Sequence, residues 1–501
     1  MAATLQHNTT ALSVAGQPEQ LRNQNESGVK SMKKAQIAVV GMGVMGQNLA
    51  LNIADKGYTV AVYNRTSSTT EEFIQQHETQ TNLIGVYTYE EMASTLALPR
   101  KILLMVKAGS VVDAVIQDLL PSLDAGDIII DGGNSFFEDT ERRFKSLAQE
   151  GIHFMGSGVS GGEEGARFGP SIMPGGSQPA WDAIEEIFSA IAAKAEDGEP
   201  CVDYMGERGA GHYVKMVHNG IEYAIMQMIA EVYDLLHRGL GLTNSELGEI
   251  FTRWNEGPLA SYLIEITRDI FKTHDPETGN PILDVILDEA KQKGTGKWTS
   301  QNGLDLGVPT HVINAAVSSR IVSGMKDERI EASKVMLGPK AVFNDDVNQM
   351  VDAAEAALFA GVVLSYVQGF GLMQQASQAY DYNLDLEKVA KIWRAGCIIR
   401  AELLEDIRKA YQKNEKLNNL LFDDYFGEVV TRRQGALRYV ITSAIGMGIP
   451  VYALSAALSY FDAYRTKRLP ANLTQAQRDY FGAHTYRRLD KEGTFHTEWQ
   501  D

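Results

Sequence analysis

Apolar and polar positions divide the chain into two textures. From Gln36 to about Ser157, short β-branched runs (QIAVV, YTVAVY, KILLMV, DIIID and IHFMG) alternate with stretches of helical period. That alternation predicts a parallel sheet covered by helices. Beyond Gly209 long apolar segments recur at helical spacing, with few strand patterns, to about Arg465. The expected organisation is therefore an α/β Rossmann-like dinucleotide-binding domain over 33–208, a large all-helical domain over 209–465 and a C-terminal tail over 466–501. Residues 1–32, rich in Gln, Asn, Thr and Ser, read as a disordered extension.

Within the helical half, Leu247, Ile250, Trp254 and Gly257 recur at one constant offset as Leu386, Val389, Trp393 and Gly396. Either an internal duplication or independent core helices would give that pattern. The tail is polar but holds Tyr480, Phe481, Tyr486 and Trp499, which predicts docking on a partner subunit. Tyr439 to Phe461 is strongly apolar, yet Gly446, Gly448 and Pro450 interrupt it, so buried helices are expected rather than a membrane span.

The length of 501 residues implies at least two domains. A formal charge of -18 argues against a general nucleic-acid surface and requires a local basic pocket for any anionic substrate. Cys201 and Cys397 alone support neither a disulfide framework nor a thiolate metal site, and no other metal-ligand cluster is evident.

The first strand runs into Gly41-Met42-Gly43-Val44-Met45-Gly46 and then a helical stretch, the pattern that seats a pyrophosphate on a helix N-terminus. The second strand ends in Asn64-Arg65-Thr66, where an NAD enzyme would present a carboxylate. A guanidinium there suits the 2'-phosphate of NADP. At the carboxyl ends of later strands stand Lys107-Ala108-Gly109, Gly132-Gly133-Asn134-Ser135 and Gly158-Val159-Ser160-Gly161-Gly162. The first two are expected beside the nicotinamide; the third offers consecutive N–H groups to a carboxylate.

GAGHYVKMVHNGIEYAIMQMIAEVY reads as one helix, on which Lys215, His218, Asn219 and Glu222 form a polar stripe. At about 100° per residue, Glu222 falls only about 20° from Lys215. Apolar neighbours almost all round predict that the stripe lines a cleft. A desolvated lysine and glutamate there are suited to act as base and acid.

At these residues the sequence resembles the decarboxylating 6-phosphogluconate dehydrogenases. GMGVMG, YNRT, VKAG, DGGNS, GSGVSGGEEGAR, KMVHNGIEY, QKGTGKWT, KDER and QRDYFGAHTY stand in order from about Lys34 to Trp499. The resemblance implies oxidation of 6-phosphogluconate by NADP, loss of carbon dioxide and formation of ribulose 5-phosphate, without a metal. Lys215 would be the base and Glu222 the acid. The glycine motif, Asn64, Arg65, Thr66, Val106, Lys107, Ala108 and Asn134 would hold the cofactor. Ser160, Gly161 and Gly162 would hold the substrate carboxylate, and Asn134, His218 and Asn219 its hydroxyls. Tyr223, Lys293, Arg320, Arg478 and His484 would surround its phosphate, the last two reaching a partner's site within a homodimer. A cytoplasmic location is expected, or an organelle if residues 1–32 are a targeting segment. Two alternatives are a β-hydroxyacid dehydrogenase of the 3-hydroxyisobutyrate type and a non-catalytic NADP sensor.

Overall fold

A computed structural model describes residues 34–339 and 342–499, so the expectation for residues 1–32 lies outside the described part. The first half runs β1 (Ile37–Val40), α1 (Val44–Asp55), β2 (Val60–Tyr63), α2 (Ser67–Gln76), β3 (Leu83–Gly85), α3 (Tyr89–Thr95), β4 (Lys101–Leu104) and α4 (Ser110–Leu119). It continues with β5 (Ile128–Asp131), α5 (Phe137–Gln149), β6 (His153–Ser160), α6 (Gly162–Phe168), β7 (Ser171–Gly176) and α7 (Gln178–Ile191). These strands make one sheet in the order β3-β2-β1-β4-β5-β6-β7. β1, β2 and β5 are buried along their whole length, which is why they are continuous Val, Ile and Ala runs rather than alternating ones. The order reverses between β1 and β4, and the crevice for a dinucleotide opens at such a switch point.

The sheet departs from the expected all-parallel form at one edge. β7 pairs antiparallel with β6, and β6 runs on to Ser160, with Gly158 opposite Met173 and Ser160 opposite Ser171. Gly158 to Ser160 are therefore strand, not loop.

The helical half comprises α8 (Ala210–Asp234), α9 (Asn244–Trp254), α10 (Tyr262–Lys272), α11 (Ile282–Val285), α12 (Thr295–Asp305), α13 (His311–Ser323) and α14 (Lys326–Val335). It closes with α15 (Val347–Ala379), α16 (Leu386–Ile392), α17 (Leu403–Lys413), α18 (Asp424–Gly446), α19 (Tyr452–Tyr464) and α20 (Ala471–Gly482). Asp346 starts α15 by accepting the free N–H groups of Asn348 and Gln349. α15 is long and apolar enough to cross a membrane, but 89% of its most apolar window is buried inside the protein, so it is the core helix against which α8 and α18 pack. The apolar stretch after Tyr439 is, as expected, two buried helices, α18 and α19, parted at Gly448 and Pro450.

α9 and α16 each follow a long core helix and each leads into a fully buried tryptophan, Trp254 and Trp393, a pairing that an internal duplication and two independent core helices would both leave. Truncating either ring to alanine would cost roughly 3 kcal/mol.

α8 is set directly on the sheet. A Cβ on Gly211 in its first turn would lie 2.3 Å from the carbonyl oxygens of both Gly156 and Met173, so the helix meets β6 and β7 backbone to backbone. Val214, Val217, Ile221 and Ala224 are 0% exposed, and the helix is buried on nearly every side.

Candidate active site

The cofactor cradle forms at the switch point. Gly41 follows β1 with φ +99°, and a Cβ there would sit 2.6 Å from the Met105 carbonyl at the end of β4. A Cβ on Gly46 would lie 1.9 Å from the Gly41 carbonyl oxygen, so helix and turn close on each other only without side chains. Gly43, by contrast, caps α1 over open space. A diphosphate fits there, facing the first free N–H groups of the helix. Asn64 ties the turns after β1 and β2 together by accepting the Met42 N–H at 3.1 Å. Arg65 and Thr66 beside it are exposed, open to a 2'-phosphate. The residues present thus fit NADP.

Three sheet-edge segments lie where the sequence places them, with one correction. Lys107 and Asn134 are exposed at the ends of β4 and β5. In the third segment Gly158 and Val159 are held in the β6–β7 ladder, so the amides left for a carboxylate are those of Gly161 and Gly162 at the start of α6.

The polar stripe of α8 forms as its spacing requires and converges on the end of β6. His218, fully buried, is its hub. Its Nε2 lies 3.2 Å from Ser160 Oγ, and its Nδ1 lies 3.5 Å from Lys215 Nζ, 3.1 Å from Asn219 Oδ1 and 3.8 Å from Glu222 Oε2. The Asn219 amide in turn donates to Thr295 Oγ1 at 3.1 Å. Burial pulls the Lys215 amine below the usual lysine range, against the opposing pull of Glu222. Burial also pushes the Glu222 carboxyl up, opposed by Lys215 and Arg320, although its side chain keeps 20% exposure toward the cleft. His218 is driven well down by burial and by the Lys215 charge, so its imidazole is neutral. An amine and a carboxyl, each biased toward its neutral form, thus sit one helical turn to either side of a neutral hydrogen-bonding ring, an arrangement suited to proton transfer.

Arg320 on α13 joins this group by laying its guanidinium 3.4 Å from the Tyr223 ring centroid. Lys293 is exposed on the chain leading into α12. Arg478 and His484 are exposed in the tail, the former against Gln475 and the latter against Phe481. Neither contact touches α8. The tail folds partly on itself: buried Asp479 accepts from Trp499 Nε1 at 2.9 Å and from the N–H groups of Thr485 and Thr497, while Leu473 and Phe481 stay exposed.

Three participants escape a linear reading. Trp393 packs edge to face on His218 with ring centroids 5.5 Å apart. The Gly396 carbonyl would lie 2.6 Å from a Cβ at Gly161, so the turn after α16 backs the glycine turn that starts α6. Thr295 holds Asn219. Thr295 stands inside the quoted KGTGKWT motif, and Trp393 was visible as half of a repeat, but no local pattern reports contacts across such distances in sequence.

Fold and site together define a class: a two-domain dinucleotide-dependent dehydrogenase in which a lysine-bearing helix closes the cofactor edge of the sheet. Residues 36–206 match the family model described as the NAD binding domain of 6-phosphogluconate dehydrogenase, and residues 211–499 match that of the 6-phosphogluconate dehydrogenase C-terminal domain. The chain belongs to the 6-phosphogluconate dehydrogenase family. It is 56% identical over 469 residues to the NADP(+)-dependent, decarboxylating 6-phosphogluconate dehydrogenase of Bacillus subtilis, covering 93% of this chain and 100% of that relative. The decarboxylating enzyme of Escherichia coli is 56% identical over 470 residues, covering 94% of this chain and 100% of the relative. The solved Plasmodium falciparum 6-phosphogluconate dehydrogenase, described apo, with NADP+ and with 6-phosphogluconate, superposes with a TM-score of 0.90 at 44% identity, covering 93% of this chain and 100% of that one.

Proposed function

We propose that this chain oxidises and decarboxylates 6-phosphogluconate to ribulose 5-phosphate and carbon dioxide with NADP as acceptor. The observation that carries the reading is the convergence of Lys215, Glu222 and Ser160 on His218, where α8 meets the end of β6. The names of the relatives agree with it.

Bound NADP supplies the acceptor for the hydride from C3. Lys215, whose charged form is disfavoured by burial, takes the proton of the C3 hydroxyl. The C3 ketone formed makes the acid a β-keto acid, so the bond to the carboxylate breaks with its electron pair drawn toward the keto oxygen. Lys215, now protonated, donates to that oxygen as charge develops there. Glu222, whose protonated form is favoured by burial, delivers its proton to the carbon left by carbon dioxide while the enol oxygen returns its proton to Lys215, which gives the ketone.

The amides of Gly161 and Gly162 with Ser160 hold the carboxylate. Asn134, His218 and Asn219 orient the hydroxyls. Tyr223, Lys293 and Arg320 receive the phosphate, completed by Arg478 and His484 from a second copy. Exposed Leu473 and Phe481 on the same tail support such docking. Mixing an Arg478→Ala chain with a Lys215→Met chain tests the exchange: activity restored by mixing supports it, and two inactive parents that stay inactive together refute it. A cytoplasmic location is part of the same reading, checked by locating tagged full-length and truncated chains.

The defining assay supplies purified protein with 6-phosphogluconate and NADP and follows NADPH and carbon dioxide together. Equal yields are expected. NADPH without carbon dioxide refutes the decarboxylation, and neither product favours a sensor.

A further inference from the structure

α5 carries a buried cation that none of these proton transfers uses. Arg143 is 2% exposed, and its guanidinium serves three residues on two segments, the start of α4 and the end of β5. It donates to both carboxylate oxygens of Asp113 on α4, at 2.8 and 3.1 Å. It donates to the Gly109 carbonyl, in the VKAG segment, at 2.9 Å. It also reaches Asp131 Oδ2 at the end of β5, at 3.4 Å.

Asp131 is fully buried and organises the DGGNS turn. Its Oδ2 accepts the Ser135 hydroxyl at 2.6 Å and its Oδ1 accepts the Gly133 N–H at 3.1 Å. The two segments that flank the nicotinamide are thus joined through one guanidinium. One turn earlier on the same face of α5, Thr140 Oγ1 lies 2.7 Å from His212 Nδ1, and His212 stands one turn before Lys215 on α8.

We propose that Arg143 is a positioning residue that fixes the VKAG and DGGNS segments against each other, on a helix that Thr140 and His212 reference to the Lys215 helix. The proposal rests on the reading of those two segments as the nicotinamide end of the site. Taking a guanidinium and a carboxylate out of water offsets most of their attraction, so a buried pair contributes little net stability against an apolar replacement. What it contributes here is geometry. Arg has a planar fork of donors that can hold three acceptors on two segments at fixed angles, whereas the single ammonium of a lysine cannot. A hydride acceptor held between such segments is sensitive to small displacements.

The test compares Arg143→Met and Arg143→Lys with Arg142→Ala, a neighbour on the same helix that also pairs with Asp113 but is 56% exposed. Three quantities are measured on folded protein: affinity for NADPH, affinity for 2'-phospho-ADP-ribose, which lacks the nicotinamide, and kcat with 6-phosphogluconate. Arg143→Met should bind the fragment like the parent, bind NADPH about tenfold more weakly and turn over about a hundredfold more slowly. Arg143→Lys should fall between, and it carries the test if the methionine variant does not fold. Arg142→Ala should change none of the three. Equal loss of both ligands, or unchanged NADPH affinity and kcat in a folded Arg143 variant, overturns the proposal. A parent protein that does not turn over 6-phosphogluconate overturns the proposed reaction instead, and the ratio of the two affinities still decides the role of Arg143.

Discussion

Gly158 is where the sheet presses hardest on the chemistry. A Cβ at this position would lie 2.4 Å from Lys215 Cβ and 2.9 Å from its Cγ. Carbon atoms rest at about 3.5–4.0 Å, so in Gly158→Ala one side must retreat by roughly 1 Å. The strand cannot easily do so, because Gly158 is held opposite Met173 in the β6–β7 ladder. The first turn of α8 is pinned too, by its backbone contact with Gly156 and Met173. The lysine side chain therefore takes most of the shift. Overpacking of this kind costs about 1–3 kcal/mol of stability, and a base displaced by about 1 Å loses on the order of a hundredfold in kcat. The cofactor cradle at Gly41 to Gly46 is on other strands, so NADP affinity should stay within about twofold while kcat falls, a selective loss that only misplacement of the reacting groups explains. The assay pairs thermal melting with NADP titration and steady-state turnover. A Gly158→Ala enzyme with kcat within about threefold of the parent would show that Lys215 does not work from the position described.

Other perturbations read other parts of the site. Lys215→Met should abolish NADPH formation while leaving NADP binding intact; residual turnover near the parent rate would remove it as the base. Because burial lowers the pKa of Lys215 and raises that of Glu222, kcat/KM should rise with pH as Lys215 loses its proton and fall as Glu222 loses its own, and Glu222→Gln should erase the falling limb; a limb that survives belongs to another group. Arg65→Ala should weaken NADP far more than NAD, and equal loss of both would end the 2'-phosphate assignment. Glu231, buried on α8 and accepting the N–H groups of Ala453 and Leu454 at the start of α19, has its carboxyl pushed up to about 7 by burial, against an ordinary 4.5. The native state then holds a proton that the unfolded chain releases, so stability present below pH about 4.5 is lost as pH rises toward 7, on the order of 3 kcal/mol in all. Urea melts at pH 5 and 8 should show that loss in the parent and not in Glu231→Gln; equal pH dependence in both would assign it elsewhere.

The parts of this molecule that could be read in advance are those whose information is local. The glycine turn sits between a strand and a helix within a few residues, and the α8 stripe is a spacing along one helix, so both emerge intact. β7 was missed because SIMPGG, with its proline and paired glycines, carries turn residues on a strand whose pairing is decided by β6. β3 is only three residues long, too short for any periodicity to register. Gly158 to Ser160 read as a loop because of the glycine that lets the strand meet Lys215 so closely. The Arg143 bridge was invisible for a different reason. Gly109 and Asp113 at the start of α4 meet Asp131 and Arg143 only when α4, α5 and β5 are assembled.

The seat of α8 on the sheet has a consequence for anyone who would rebuild this enzyme. The two family models meet between residues 206 and 211, an inviting place to cut and graft a foreign cofactor half. That junction is where Gly211 interlocks with Gly156, Met173 and Gly175. A chimera divided there would inherit a strand pair from one parent and its mating helical turn from the other, with no side chains between them to absorb a mismatch. Exchange of cofactor halves should succeed only when the crossover lies beyond Lys215 or when both parents share the same glycines.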